Sequence, residues 1–171
     1  GEGRRAVDGA EATSLMRGVE AQRPVLAERM KAALAALAAQ EMVDETRLGA
    51  IGFCYGGKAV LDLARSGADL AVAGAIHGVL DAPPQATQAI KASVLVMHGW
   101  DDPLAKPEAV LALAKELTEA GADWQILAFG HTGHAFTNPA AASPENGMAY
   151  RTEAAERAFA ALDRLFAEKL R

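Results

Sequence analysis

Four short apolar runs, each ended by glycine or a turn and separated by stretches with helical spacing, constrain this chain more than any other feature. They lie at residues 48–53, 70–76, 94–98 and 124–129. Runs of five to seven residues, the first of them broken by glycine, are too short for useful helices and read as buried strands. Between and around them the apolar period changes. From Pro24, Leu26, Met30, Leu34 and Leu37 recur at three- and four-residue steps, which predicts an amphipathic helix with proline in its first turn. A helix is expected over 57–65, and another from Pro107 with Leu111, Ala114 and Leu117 on one side and Gly121 as its stop. A last helix is expected over 147–170, with Ala155, Phe159, Leu162 and Phe166 inward. Residues 1–21 read as irregular with a short helix near 11–18. The segment after the second run reads as a loop at Asp81-Ala-Pro-Pro followed by a short helical piece over 86–90. Strands alternating with helices predict an α/β fold, a mostly parallel sheet flanked by helices, in one domain spanning 1–171.

Alanine supplies 40 of the 171 residues, so helices can approach the sheet closely. No apolar run nears the roughly 18 residues of a membrane span, which argues against a membrane protein. The net charge of −5, from 22 acids and 17 bases spread along the chain, lacks the basic stripe of a nucleic-acid binder. With a single cysteine there is no intrachain disulfide, and a cytoplasmic setting is the expectation.

In parallel α/β sheets chemistry collects just beyond the C-terminal ends of strands. Here those ends read Cys54-Tyr55-Gly56-Gly57, His77-Gly78, Gly99-Trp100-Asp101-Asp102-Pro103 and Gly130-His131-Thr132-Gly133-His134. Gly52-Phe53-Cys54-Tyr55-Gly56 is G-x-C-x-G, the thiol form of a strand-to-helix nucleophile elbow, whose flanking glycines are expected where a Cβ would collide. The helix N-terminus lowers a thiol pKa and offers the Tyr55 N–H as an oxyanion donor. The bland alternative is a small buried cysteine in a tight turn. Gly52 to Lys58 also approaches the phosphate-binding G-x-x-x-x-G-K-[ST], but Ala59 stands where the Mg²⁺-binding hydroxyl belongs. For an acid that orients an imidazole, Asp102 is preferred, with Asp101 beside it as the alternative. Of the four histidines, His77 and His98 are read as satisfied core residues. His131 and His134 share the glycine-punctuated last loop, and His134 is preferred as the base. No cofactor and no metal site is expected.

With Gly52-Phe-Cys-Tyr-Gly-Gly57, His98-Gly-Trp-Asp-Asp102-Pro103 and Gly133-His-Ala-Phe136, the chain from about Ala21 onward resembles the dienelactone hydrolase family. The resemblance implies an α/β-hydrolase fold and a triad of Cys54 as nucleophile, Asp102 as orienting acid and His134 as base. The implied substrate is a small-molecule ester or lactone, cleaved through an acyl-cysteine. Family members begin with further strands, and a loop after one of them supplies a second oxyanion N–H and a glutamate near the thiol. Only 53 residues precede Cys54, and none reads as that strand and loop. The chain is therefore expected to be the C-terminal two-thirds or more of a longer domain lacking its N-terminal strands. Weak turnover on its own and self-association through an exposed sheet edge are expected with it. Thr137-Asn138-Pro139 stands where members that cleave dienelactone carry an arginine, so another ester or lactone is the expected substrate. A noncatalytic α/β interaction domain keeping the elbow geometry is the competing reading.

Overall fold

The computed structural model describes residues 3–171. Strands β1 (Gly49–Phe53), β2 (Val72–Ile76), β3 (Ser93–Gly99) and β4 (Asp123–Phe129) form one parallel sheet in the order β1-β2-β3-β4. The helices are α1 (Gly9–Glu20), α2 (Arg23–Ala38), α3 (Tyr55–Arg65), α4 (Pro107–Glu119) and α5 (Thr152–Lys169). Side chains alternate across a strand, so β2 and β3 feed two cores. Ala73, Ala75, Val94 and Val96 pack with α3 and α4, with Met30 and Leu34 of α2 against the same cluster. Val72, Ile76, Leu95 and Met97 face α5 through Ala154, Ala158 and Leu162. This is the mostly parallel, helix-flanked α/β sheet that the sequence predicts.

Three expectations are corrected. The first helix is a full Gly9–Glu20, longer than 11–18, because Asp8 caps it by accepting the Glu11 N–H at 2.8 Å while the Glu11 carboxylate accepts the Val7 N–H. Residues 86–90 are not helical. Their backbone bonds go to other elements: Gln88 N–H donates to the Arg65 carbonyl and Ile90 N–H to the Ala120 carbonyl. The last helix starts at Thr152, not 147, because a small hairpin, β5 (Ala142–Ser143) and β6 (Met148–Ala149), precedes it around a 3₁₀ turn at Pro144–Asn146. Gly147 closes that turn at φ +71°, where a Cβ would also lie 2.9 Å from the Pro103 ring.

Among the described residues β1 pairs with β2 only, which leaves one side of the sheet open. Ile51 and Phe53 on it stay 42% and 41% exposed, beside a 40% exposed Phe159 from α5. Beneath β1, α2 and α3 are joined by buried charges. Arg23 is forked onto Asp62 at 2.7 and 2.9 Å, Arg65 reaches the same Asp62 at 3.1 Å and Glu116 at 2.8 Å, and Arg23 reaches Asp81 at 2.6 Å. Among the described residues no helix is long and apolar enough to cross a membrane.

Candidate active site

The turn from β1 into α3 is made without slack. A Cβ on Gly52 would sit 2.0 Å from the Gly56 carbonyl oxygen, and one on Gly57 would sit 2.9 Å from the Gly78 Cα. Gly56, expected to be constrained like Gly52, has nothing within 4 Å of its Cβ position, so the second tight glycine is Gly57. Between them Cys54 takes φ 52°, ψ −120°, a region that L-residues rarely occupy. That backbone turns the half-buried thiol outward at the head of α3. The Tyr55 N–H, in the first turn of that helix, has no carbonyl four residues back within the helix to accept it.

The other strand ends converge on this sulfur. The loop after β4 brings His134 in, its Nε2 3.2 Å from Cys54 Sγ and its Nδ1 2.8 Å from Asp102 Oδ2, just past β3. Asp102 is 2% exposed, and its second oxygen accepts the Leu104 N–H at 2.8 Å. The loop is held from outside as well, because the His134 N–H donates to the Gly147 carbonyl at 2.7 Å. A Cβ on Gly99 would lie 2.3 Å from the Gly133 carbonyl oxygen, so the loop can lie against the end of β3 only because that residue is glycine. The two alternatives fall elsewhere: Asp101 and His131 are both exposed.

His77, read from sequence as a satisfied core residue, is buried but belongs to the same cluster. From the end of β2 its Nδ1 lies 3.4 Å from Cys54 Sγ and accepts the Cys54 N–H at 3.3 Å, while Nε2 lies 2.8 Å from Thr137 Oγ1. Its place at a strand end was the available signal; nothing in the local sequence separates it from a packing histidine. His98 also departs from expectation. It is fully buried with neither ring nitrogen hydrogen-bonded, and burial lowers its pKa. Every non-glycine residue with positive φ among the described residues, Cys54, His77, His131 and Ala135, sits at or just past a strand end in this region. Such backbone strain clusters at functional sites.

Electrostatics favour charge separation across the Cys54–His134 contact. Burial pushes the thiol pKa up, but the hydrogen bond from His134 and the close His77 ring outweigh it and bring it down to about 6. Burial alone would lower His134, yet its bonds to Asp102 and to the sulfur carry it up to about 9. A thiolate held by a protonated imidazole is a competent nucleophile with its own acid beside it. Lys58 of the phosphate-loop alternative is spoken for, bonded to Glu20 at 2.7 Å and Asp81 at 2.9 Å. Glu20 also accepts the Tyr55 hydroxyl at 3.2 Å, and burial with this carboxylate pushes the phenol up to about 12. The Glu20 contacts join residues 35 and 38 positions apart, with no periodic signal in the sequence. Among the described residues, Cys54, His77 and His134 form the one group of three side chains placed to hold a metal ion.

The chain aligns with known proteins along nearly its whole length. A crystal structure of a dienelactone hydrolase-like promiscuous phosphotriesterase, P91, from metagenomic libraries superposes with TM-score 0.90 at 40% identity. The match covers 98% of this chain and 71% of that one. A second structure, called m3DLH, gives TM-score 0.90 at 38% identity over 100% of this chain and 72% of its own. An uncharacterized Caenorhabditis elegans protein, K02A2.1, is 32% identical over 140 residues, 80% of this chain and 89% of the relative. Residues 2–170 match the dienelactone hydrolase family as a whole. On that match, and on the parallel sheet with its thiol elbow, the chain belongs to the dienelactone hydrolase family of α/β-hydrolases.

Proposed function

We propose that this hydrolase cleaves carboxylic esters or lactones of small molecules through an acyl-cysteine. The observation that carries the reading is the unbroken line from Asp102 through His134 to Cys54 Sγ, at 2.8 and 3.2 Å. In it the Cys54 thiolate attacks the acyl carbon, and the negative charge growing on the carbonyl oxygen is met by the Tyr55 N–H and the positive end of α3. The protonated His134 Nε2 gives its proton to the departing alkoxide, leaving the acyl group on sulfur. Neutral His134 then takes a proton from water, the hydroxide attacks the thioester, and collapse returns the acid and the thiolate with His134 protonated. Asp102 holds Nδ1–H toward itself throughout, which keeps Nε2 facing the sulfur.

The test is hydrolysis of a small activated ester by the parent chain, Cys54→Ala and His134→Ala. Both variants should lose turnover, by on the order of 10³-fold or more; unchanged turnover in either would overturn the reading. Similarity to the P91 phosphotriesterase supports a second assay on a phosphotriester, in which the same thiolate would attack phosphorus. Hydrolysis of the triester but not the carboxylic ester would move the substrate class while keeping the nucleophile. A noncatalytic protein with the same elbow would turn over neither.

A further inference from the structure

Hydrolysis by the acyl-cysteine route uses one imidazole, yet the Cys54 sulfur has two. His77 Nδ1 and His134 Nε2 lie 3.4 and 3.2 Å from it, and the three atoms all fall within 4.8 Å of one another. A tetrahedral zinc ion holds sulfur at about 2.3 Å and imidazole nitrogen at about 2.0–2.1 Å, which sets S and N about 3.5 Å apart along an edge. We propose that Cys54 Sγ, His77 Nδ1 and His134 Nε2 are a three-ligand site for a zinc-type divalent cation, with water in the fourth position, and that the ion switches the nucleophile off.

Three further observations support the site. Metal-bound histidines give their other ring nitrogen to a carboxylate, a carbonyl or another oxygen. Here His134 Nδ1 rests on Asp102 and His77 Nε2 on Thr137, each at 2.8 Å, so both rings turn their remaining nitrogen toward the sulfur. His77 Nδ1 receives the Cys54 N–H, so it carries no proton of its own and has a lone pair to offer. That bond, at 3.3 Å, is lost when an ion takes the lone pair, but the same N–H keeps the Ile76 carbonyl at 3.2 Å. One thiolate and two imidazoles suit zinc, cobalt or copper and do not suit magnesium or calcium. On binding, the proton shared by the thiol–imidazole pair goes to solvent and the sulfur and both nitrogens each form a bond to the metal. Metal binding stands independently of the catalytic reading; only the loss of activity rests on it.

The experiment is a Co²⁺ titration of the metal-stripped, reduced protein, followed by its thiolate-to-cobalt charge-transfer band and the visible bands of tetrahedral cobalt. Zn²⁺ is then added to displace the cobalt. A one-to-one band that Zn²⁺ bleaches is expected, lost in Cys54→Ala and in His77→Ala. Thr137→Val, which keeps all three ligands, should weaken cobalt affinity about 10–100-fold. Absence of the band in the parent chain would overturn the site, as would an undiminished band in correctly folded His77→Ala or unchanged affinity in Thr137→Val. In parallel, Zn²⁺ should inhibit ester hydrolysis at the concentration that displaces cobalt, and the inhibited fraction should shrink in Thr137→Val. A chain that binds cobalt but never turns over ester would retain the metal site and defeat the catalytic proposal; an active chain without the band would do the reverse.

Discussion

At the scale of single residues, the proposed mechanism makes the Cys54–His134 pair set the pH range of activity. The thiolate forms as pH rises through about 6, and the imidazolium that must protonate the leaving group is lost through about 9. Activity limited by both is therefore expected to give a bell in kcat/KM, rising on the acid side and falling on the alkaline side near those values. A rate profile measured under constant ionic strength checks it; a single rising limb reaching past pH 9 would mean that His134 acts unprotonated. The elbow makes a second prediction, because its two outer glycines look alike in sequence and differ in space. Gly52→Ala drives a methyl into the Gly56 backbone and is expected to cost about 3 kcal/mol, the upper part of the range for overpacking. Gly56→Ala meets open space in the first turn of α3 and is expected to be neutral or to stabilise by up to about 1 kcal/mol. Thermal unfolding of the two variants distinguishes them.

At the scale of elements, the strands were legible and the connections less so. Each apolar run lies within two residues of the strand it became; β2 and β3, buried on both faces, leave no choice but an unbroken apolar stretch. The segment at 86–90 has the composition of a helical turn, but its hydrogen bonds are claimed by Arg65 and Ala120, far away in the chain. The hairpin at 142–149 was hidden for the opposite reason. Two-residue strands carry almost no periodic signal, although Asn146-Gly147 marks a turn. The charges joining Arg23 of α2 to Asp62 of α3 and to Asp81 in the loop after β2 connect residues 39 and 58 positions apart, and no local pattern announces them. Their energetics can still be argued. Asp62, with its side chain 3% exposed, balances both Arg23 and Arg65. Asp62→Ala leaves two buried guanidinium groups undercompensated and is expected to cost about 3–5 kcal/mol, read from urea unfolding. A loss below about 1 kcal/mol would mean that Asp81 and Glu116 suffice.

At the scale of the whole molecule, the site is a property of the sheet. The positions of Cys54, Asp102 and His134 in the chain follow from which strand each one ends, which is why their order was readable. His77 is the buried, hydrogen-bonded residue that the sequence suggests, and its nearness to Cys54 was not legible because it depends on β2 lying beside β1. Among the described residues nothing pairs with the outer side of β1, where Ile51 and Phe53 lie, and such an edge invites pairing with another copy. Sedimentation is expected to show concentration-dependent species heavier than the monomer, shifted toward monomer by Ile51→Lys; a single monomeric species in the parent chain would refute this. The anchoring of His134 on Gly147 has a consequence for synthesis. Asp102, His134 and the hairpin that props His134 follow Cys54 by 48 to 93 positions and leave the ribosome after it. Until that last part has docked, Cys54 is an ordinary thiol without the neighbours that make it reactive. Synthesis thus makes the thiol well before the group whose hydrogen bond activates it, and on the proposed mechanism the nascent segment around Cys54 carries no primed nucleophile.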